Sequence, residues 1–266
     1  MATAVICEFN PFHNGHKYLL ESAKNVLKEP VIAIMSGSFT QRGEVAVCDK
    51  FVRAKSALEN GADLVLEMPV VFSLSGAEGF AKAGVAIASA FECTNHLAFG
   101  SESGDCELLK KSANAVCDER VQALVRDGMK NGGYYPRELE NAVKTVFGDE
   151  ISSVLCEPNN ILGVEYIKAL NGTGVEPFSV ARTGVAHDSR IAGEGFASAS
   201  HIREMLRNGE NAKKYAPYIP DEITFPENLD RPLLYRLRTM TREDIAKLPD
   251  VGEGLENRIA DAAVRC

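Results

Sequence analysis

The stretch Ala4-Val5-Ile6-Cys7-Glu8-Phe9-Asn10-Pro11-Phe12-His13-Asn14-Gly15-His16-Lys17-Tyr18-Leu19 decides the fold. Residues 4–7 are apolar on both faces, as in a strand buried inside a parallel sheet. A short turn-forming segment follows, and from 16 to 27 the apolar residues take up helical spacing. The alternation repeats outward from this point. Runs 31–35, 63–67 and 96–99 read as further buried strands, while 50–60 and 77–91 read as helices, with Gly61 placed to stop the former. Strand and helix alternating at this spacing predict right-handed crossovers and a Rossmann-like, doubly wound parallel α/β sheet.

Farther along, residues 105–147 keep a helical pattern, broken at Gly132-Gly133-Tyr134-Tyr135-Pro136. Another helix is expected at 160–170, a strand at 177–181 and a short helix at 200–207, closed by Gly209. Prolines at 217, 220, 226 and 232 mark a linker. The expected organisation is therefore a catalytic domain over 1–214 and, over 215–266, a linker with a small C-terminal helical part at 233–240, 242–248 and 254–265.

Composition narrows the function. The 266 residues are 45% hydrophobic and 25% charged, ordinary for a globular chain that buries a core. No apolar run approaches the roughly 20 residues of a membrane span, and the start lacks a basic leader segment, so the expected address is cytoplasmic, with no membrane partner. Cysteines at 7, 48, 93, 106, 117, 156 and 266 include no Cys-x-x-Cys pair, which argues against a disulfide framework and a thiolate zinc site. A net charge of −8 gives no support to extensive phosphate-backbone gripping and favours a small-molecule substrate.

Phe9 to His16 lies where a parallel sheet binds ligands, beyond a strand's C-terminus and at the start of a helix. Helix N-termini offer unpaired N–H groups to phosphate. Gly15 lets a phosphate approach the backbone, and His13 and His16, flanking it, can donate hydrogen bonds as charge builds on leaving pyrophosphate. Pro11 fixes the loop ahead of the helix. Ser200 and Arg203 open a short helix and form a second candidate phosphate site, with helix capping as the plain alternative. Gln41-Arg42-Gly43-Glu44, near Lys50, Arg53 and Lys55, is a polar loop that can meet RNA, although a solvated helix face is the simpler reading.

His13-Asn14-Gly15-His16 resembles the signature of the HUP-type nucleotidyltransferase superfamily, and Glu8 to His16 resembles more narrowly the tRNA(Met) cytidine acetate ligase family. Met35-Ser36-Gly37, Gly61-Ala62-Asp63, Phe99-Gly100-Ser101-Glu102, Pro158-Asn159-Asn160, Ala181-Arg182, His187-Asp188, Ser198 to Arg203 and Glu253 to Arg258 carry the resemblance along the chain. It implies an ATP-dependent ligase that activates acetate as acetyl-adenylate and passes the acetyl group to N4 of the wobble cytidine of elongator tRNA(Met). It also implies ATP contacts along Ile6 to Leu19 and at Gly100, Asn159 and Arg182. Residue chemistry agrees: Asn159 can read an adenine edge or cap a helix, Arg182 can clamp phosphate or make a surface ion pair, and Gly100 can lie under a base or be a turn glycine. Mg²⁺ is expected on the nucleotide's own phosphates.

Family members continue past Glu253 to Arg258 into further helices and a basic tail, whereas this sequence ends at Cys266; a weaker hold on RNA is the corresponding expectation. Two alternatives stand beside the ligase: an adenylyltransferase acting on a small phosphate ester in cofactor synthesis, and a nucleotide- or RNA-binding protein without turnover.

Overall fold

The structure, a computed structural model, describes residues 1–182, 195–219 and 221–265; His187 and Asp188 lie outside the described residues. The chain forms two units, Met1–Ile223 and Thr224–Cys266. The division falls later than residue 214 because residues 212–216 are tied into the first unit. Ala212 and Ala216 are buried, and the Tyr215 carbonyl accepts from the Asn14 N–H at 2.8 Å.

The first unit begins β1 (Ala2–Cys7), α1 (Asn14–Leu27), β2 (Val31–Ser36), α2 (Lys50–Glu59) and β3 (Leu64–Met68). It continues with α3 (Val70–Ser73), α4 (Ala77–Ser89), β4 (Thr94–Ser101), α5 (Cys106–Cys117), α6 (Glu119–Lys130), α7 (Tyr135–Phe147) and α8 (Asp149–Ser153), then α9 (Pro158–Leu170), β5 (Glu176–Ala181) and α10 (Ala199–Arg207). All the strands run parallel in the order β3-β2-β1-β4-β5. The order reverses beside β1, so the crevice between the C-terminal ends of β1 and β4 is the natural ligand site.

Side-chain alternation along β1 explains its two buried faces. Ala4 and Ile6 point to the side where α4, α5 and α9 bring Phe80, Val85, Leu109 and Val164. Val5 and Cys7 point to the other, against Leu20 and Ala23 of α1 and Ala57 of α2. The helical stretch 105–147 breaks once more than its pattern suggests, at Asp118, whose carboxylate accepts from the Arg120 N–H at 2.9 Å and so caps α6.

Arg53 corrects the reading of a solvated basic face on α2. It is 1% exposed. Its Nε donates to the Cys48 carbonyl at 3.2 Å, its Nη1 to those of Glu8 at 2.6 Å and Ser36 at 3.2 Å, and its Nη2 to that of Gly37. Only Lys50 and Lys55 behave as surface cations, paired with Glu67 and Glu59.

In the second unit, α11 (Asp230–Thr239), α12 (Arg242–Ala246) and α13 (Leu255–Arg265) follow a 3₁₀ turn at Pro226–Leu229. Arg242 bonds Asn257 at 2.7 Å and Asp261 at 2.6 Å, Arg238 Nε donates to the Ala263 carbonyl at 2.7 Å, and Ile245 and Ala263 are buried. Among the described residues no helix is long and apolar enough to cross a membrane.

The closeness of α4 to β1 gives a stability test. A Cβ at Gly84 would lie 2.4 Å from Ile6 Cδ1 and 2.7 Å from Cγ1. Gly84→Ala, despite its better helix propensity, is expected to destabilise by about 1–2 kcal/mol through overpacking, read as a lower urea midpoint.

Candidate active site

β1 ends at Cys7 and the chain turns sharply. Phe9 sits at φ 48°, a left-handed conformation that a bulky side chain rarely adopts. Neighbouring bonds hold it. Arg53 takes the Glu8 carbonyl, the Asn10 side-chain oxygen accepts from the Val47 N–H at 2.7 Å, and Arg203 of α10 donates to the Asn10 carbonyl at 2.8 Å. Phe9 and Phe12 are buried edge to face with centroids 4.9 Å apart.

Helix α1 starts two residues before the expected 16, and its N-cap is His13 itself. His13 Nδ1 accepts from the Gly15 N–H at 3.0 Å, and His16 Nδ1 accepts from the His13 N–H at 3.3 Å. Because each Nδ1 is an acceptor, each neutral ring carries its proton on Nε2. The rings stack with centroids 3.7 Å apart, so the pair presents two Nε2–H donors at the helix N-terminus. Burial, with Arg182 and Arg203 nearby, lowers the His13 pKa from the ordinary 6.5 to about 3. Burial, then His13 and Arg182, holds His16 well below the usual value as well. Neutral rings are thus the resting state, and protonating Nδ1 would break the caps.

These residues line a cavity of about 420 Å³. Of the residues expected at a nucleotide, Ile6, Cys7, Glu8, Phe9, Asn10, His13, Gly15, His16, Tyr18 and Leu19 border it, as do Gly100, Asn159, Arg182, Ser200 and Arg203. Pro11, Phe12, Asn14 and Lys17 do not. Pro11 and Phe12 are buried, Asn14 Nδ2 donates to the carbonyls of Gly195 at 2.7 Å and Lys214 at 3.0 Å, and Lys17 faces Glu21 at 3.8 Å.

On the β4–β5 side, Gly100 lies within β4 opposite Val180 rather than in a turn, and the stem of Arg182 passes over it, 3.5 Å from where a Cβ would be. Asn159 does not cap α9; its Nδ2 donates to Glu102 Oε1 at 2.5 Å, while Glu102 Oε2 accepts the Asn160 N–H at 2.9 Å at the helix N-terminus. This leaves the Asn159 carbonyl oxygen for a ligand. Glu102 is a positioning residue that its place in Phe99-Gly100-Ser101-Glu102 signalled without showing its role. At α10 the cap is Ser198, accepting from the His201 N–H at 3.1 Å, so Ser200 is free of capping and sits 3.5 Å from Arg203 Nη2.

On the β2 side the cavity is bordered by Thr40, Gln41, Arg42 and Glu44, which no spacing marked as cavity residues. Gln41 Nε2 donates to the Ser75 carbonyl at 3.2 Å, fixing this loop beside the start of α4. Among the described residues no group of three His, Cys, Asp or Glu is placed to hold a metal, and Cys7, Cys48, Cys93, Cys106, Cys117 and Cys156 are free thiols.

The sequence profile of the HIGH Nucleotidyl Transferase family matches residues 1–266. A tRNA(Met) cytidine acetate ligase of Caldanaerobacter subterraneus is 38% identical over 98% of this chain and 70% of its own length. That of Thermosipho africanus is 35% identical over 97% and 66%. The crystal structure of apo Thermotoga maritima TmcAL superposes with a TM-score of 0.91 at 33% identity, covering 100% of this chain and 69% of that one. TmcAL bound with alpha-thio ATP gives 0.89, covering 68% of that chain. The chain thus spans about two thirds of the length of the relatives it matches. A parallel sheet opening onto paired imidazoles at a helix N-terminus defines a nucleotidyl transferase of the HIGH class. Within that class the chain belongs to the tRNA(Met) cytidine acetate ligase family.

The histidine geometry has a direct readout. With the folded-state pKa below the unfolded one, the unfolded chain takes up protons first, so these rings make stability fall as pH drops from 6.5 toward about 3. Histidine NMR should show the His13 ring unprotonated between pH ~8 and ~4.5; an inflection near the ordinary imidazole value would contradict the capped, buried ring.

Proposed function

We propose that the chain binds ATP in this cavity, joins acetate to its α-phosphate as acetyl-adenylate, and passes the acetyl group to N4 of the wobble cytidine of elongator tRNA(Met), in the cytoplasm. The observation carrying this reading is the pair of imidazoles whose Nδ1 atoms are spent on the helix cap, leaving two Nε2–H donors aimed at a phosphate site. Membership in the acetate ligase family supplies the acid and the acceptor.

Adenine and ribose fit the β4–β5 side, over Gly100 and beside the free carbonyl oxygen of Asn159. The phosphates fit between the α1 N-terminus, Arg182 and Arg203, which remain cationic. The acetate carboxylate attacks the α-phosphorus, the bond to the bridging oxygen breaks, and pyrophosphate departs with the electron pair. His13 and His16 stabilise the charge gathering on it through preorganised donors. The polar side chains facing the phosphates are donors and cations rather than a carboxylate cage, so Mg²⁺ fits as an ion held on the nucleotide's own oxygens, where it neutralises phosphate charge. No step requires a covalent enzyme intermediate.

The reading is tested by pyrophosphate–ATP exchange. Exchange should depend on acetate, and nucleoside analysis after incubation with elongator tRNA(Met) should show acetylated cytidine; exchange indifferent to acetate would remove the proposal. His13→Asn keeps a side-chain oxygen for the cap but loses the Nε2–H. It is expected to fold normally while slowing exchange by about 10²–10³-fold. A small effect would mean that the ring is only a cap.

A further inference from the structure

Glu8 follows β1 directly, lines the cavity and is joined to the loop after β2 through Gln41. Its Oε1 accepts from the Gln41 N–H at 2.6 Å, whereas Oε2 has no hydrogen-bond partner among the described residues. Cations surround it without bonding to it. The Arg53 guanidinium is spent on carbonyls. Arg203 donates to the Asn10 carbonyl and to Ser200, and lies 3.9 Å from Glu44 rather than on Glu8. Burial raises the Glu8 pKa above the ordinary 4.5, an effect moderated by the Gln41 N–H and by Arg203, Arg42 and Arg53. A carboxylate here is badly chosen for ATP phosphates or for acetate, which it repels. It suits a neutral N–H donor, and carboxylates are the side chains that accept from the exocyclic amine of cytosine.

Gln41 ties Glu8 to the start of α4, since its N–H donates to Glu8 and its Nε2 to the Ser75 carbonyl, and Ala77 and Phe80 of α4 line the same cavity. At the mouth, Arg42 is exposed and borders the same cavity, placed for a phosphate flanking the base. Resting on the acetate-to-cytidine reading above, we propose that the space between Glu8, the Gln41–Glu44 loop and α4 receives the acceptor cytosine, and that Glu8 Oε2 accepts its N4–H and removes that proton during acetyl transfer. The N4 lone pair attacks the acetyl carbonyl carbon of acetyl-adenylate. The bond from that carbon to the phosphate oxygen breaks, AMP leaves with the electron pair, and the N4 proton passes to Glu8 and then to water.

The test separates the two half-reactions in the full chain. Acetate-dependent pyrophosphate exchange reports activation, and acetylcytidine formed in a single turnover with elongator tRNA(Met) reports transfer. Glu8→Gln retains an oxygen for the Gln41 N–H but is no base. Its ratio of transfer to exchange is expected to fall about 100-fold, with Glu8→Asp, which keeps the carboxylate, between it and the unaltered protein. An unchanged ratio would overturn the proposal. So would an equal loss of both half-reactions, which would make Glu8 part of the nucleotide site, or exchange by the unaltered protein without any acetylcytidine. Absence of acetate-dependent exchange in the unaltered protein would instead bring down the reading on which this one rests.

Discussion

A guanidinium shut away from solvent and bonded to main-chain carbonyls rather than to a carboxylate holds the cavity end of the sheet together. Taking such a charge out of water costs several kcal/mol, and Arg53 recovers it by donating to four carbonyls, those of Cys48, Glu8, Ser36 and Gly37. Those carbonyls lie just beyond β1, at and just after the end of β2, and in the segment leading to α2, where the chain is leaving the sheet ladder and buried oxygens need partners. One side chain therefore satisfies the backbone where two strands let go. It also sets the direction in which the chain leaves β1, and so the left-handed turn at Phe9 and the position at which α1 begins.

The site inherits that rigidity. Asn10 is held through its side chain by Val47 and through its carbonyl by Arg203, so three segments distant in sequence converge on one loop. The helix cap then fixes the tautomers of His13 and His16. Preorganisation here is geometric and electronic at once: the bonds that orient the rings also decide which nitrogen bears the proton. The cavity thereby holds amide and glycine chemistry beyond β4 and β5, cations and imidazoles, and a half-buried carboxylate bonded to the loop after β2.

Much of this was legible in the sequence. Unbroken short apolar runs such as 31–35 fit strands buried on both faces, and His13, Gly15 and His16, placed after the first of them, line the cavity. Reading the stretch from Ile6 to Leu19 as uniformly ligand-facing overreached, because a turning chain shows only some of its residues to one side; Phe12 packs inward and Asn14 braces the backbone. The role of Arg53 was hidden because its four partners are main-chain oxygens, which leave no trace in residue type. Glu102 and Gln41 were obscured for a related reason. Each acts on a segment far away in sequence: Gln41 lines the cavity and bonds Glu8 and Ser75, while Glu102 bonds Asn159, which lines it.

The occupied Nδ1 atoms have a consequence for inorganic ions. Two histidines this close would ordinarily invite zinc, nickel or copper, which coordinate the lone pair of neutral imidazole. Here the lone pairs on Nδ1 are committed to amide hydrogens, and the outward nitrogens carry protons. Chelation would require both rings to shift their protons and surrender the first turn of α1. The pair is thus shielded from adventitious transition metals by the same bonds that orient it at the cavity.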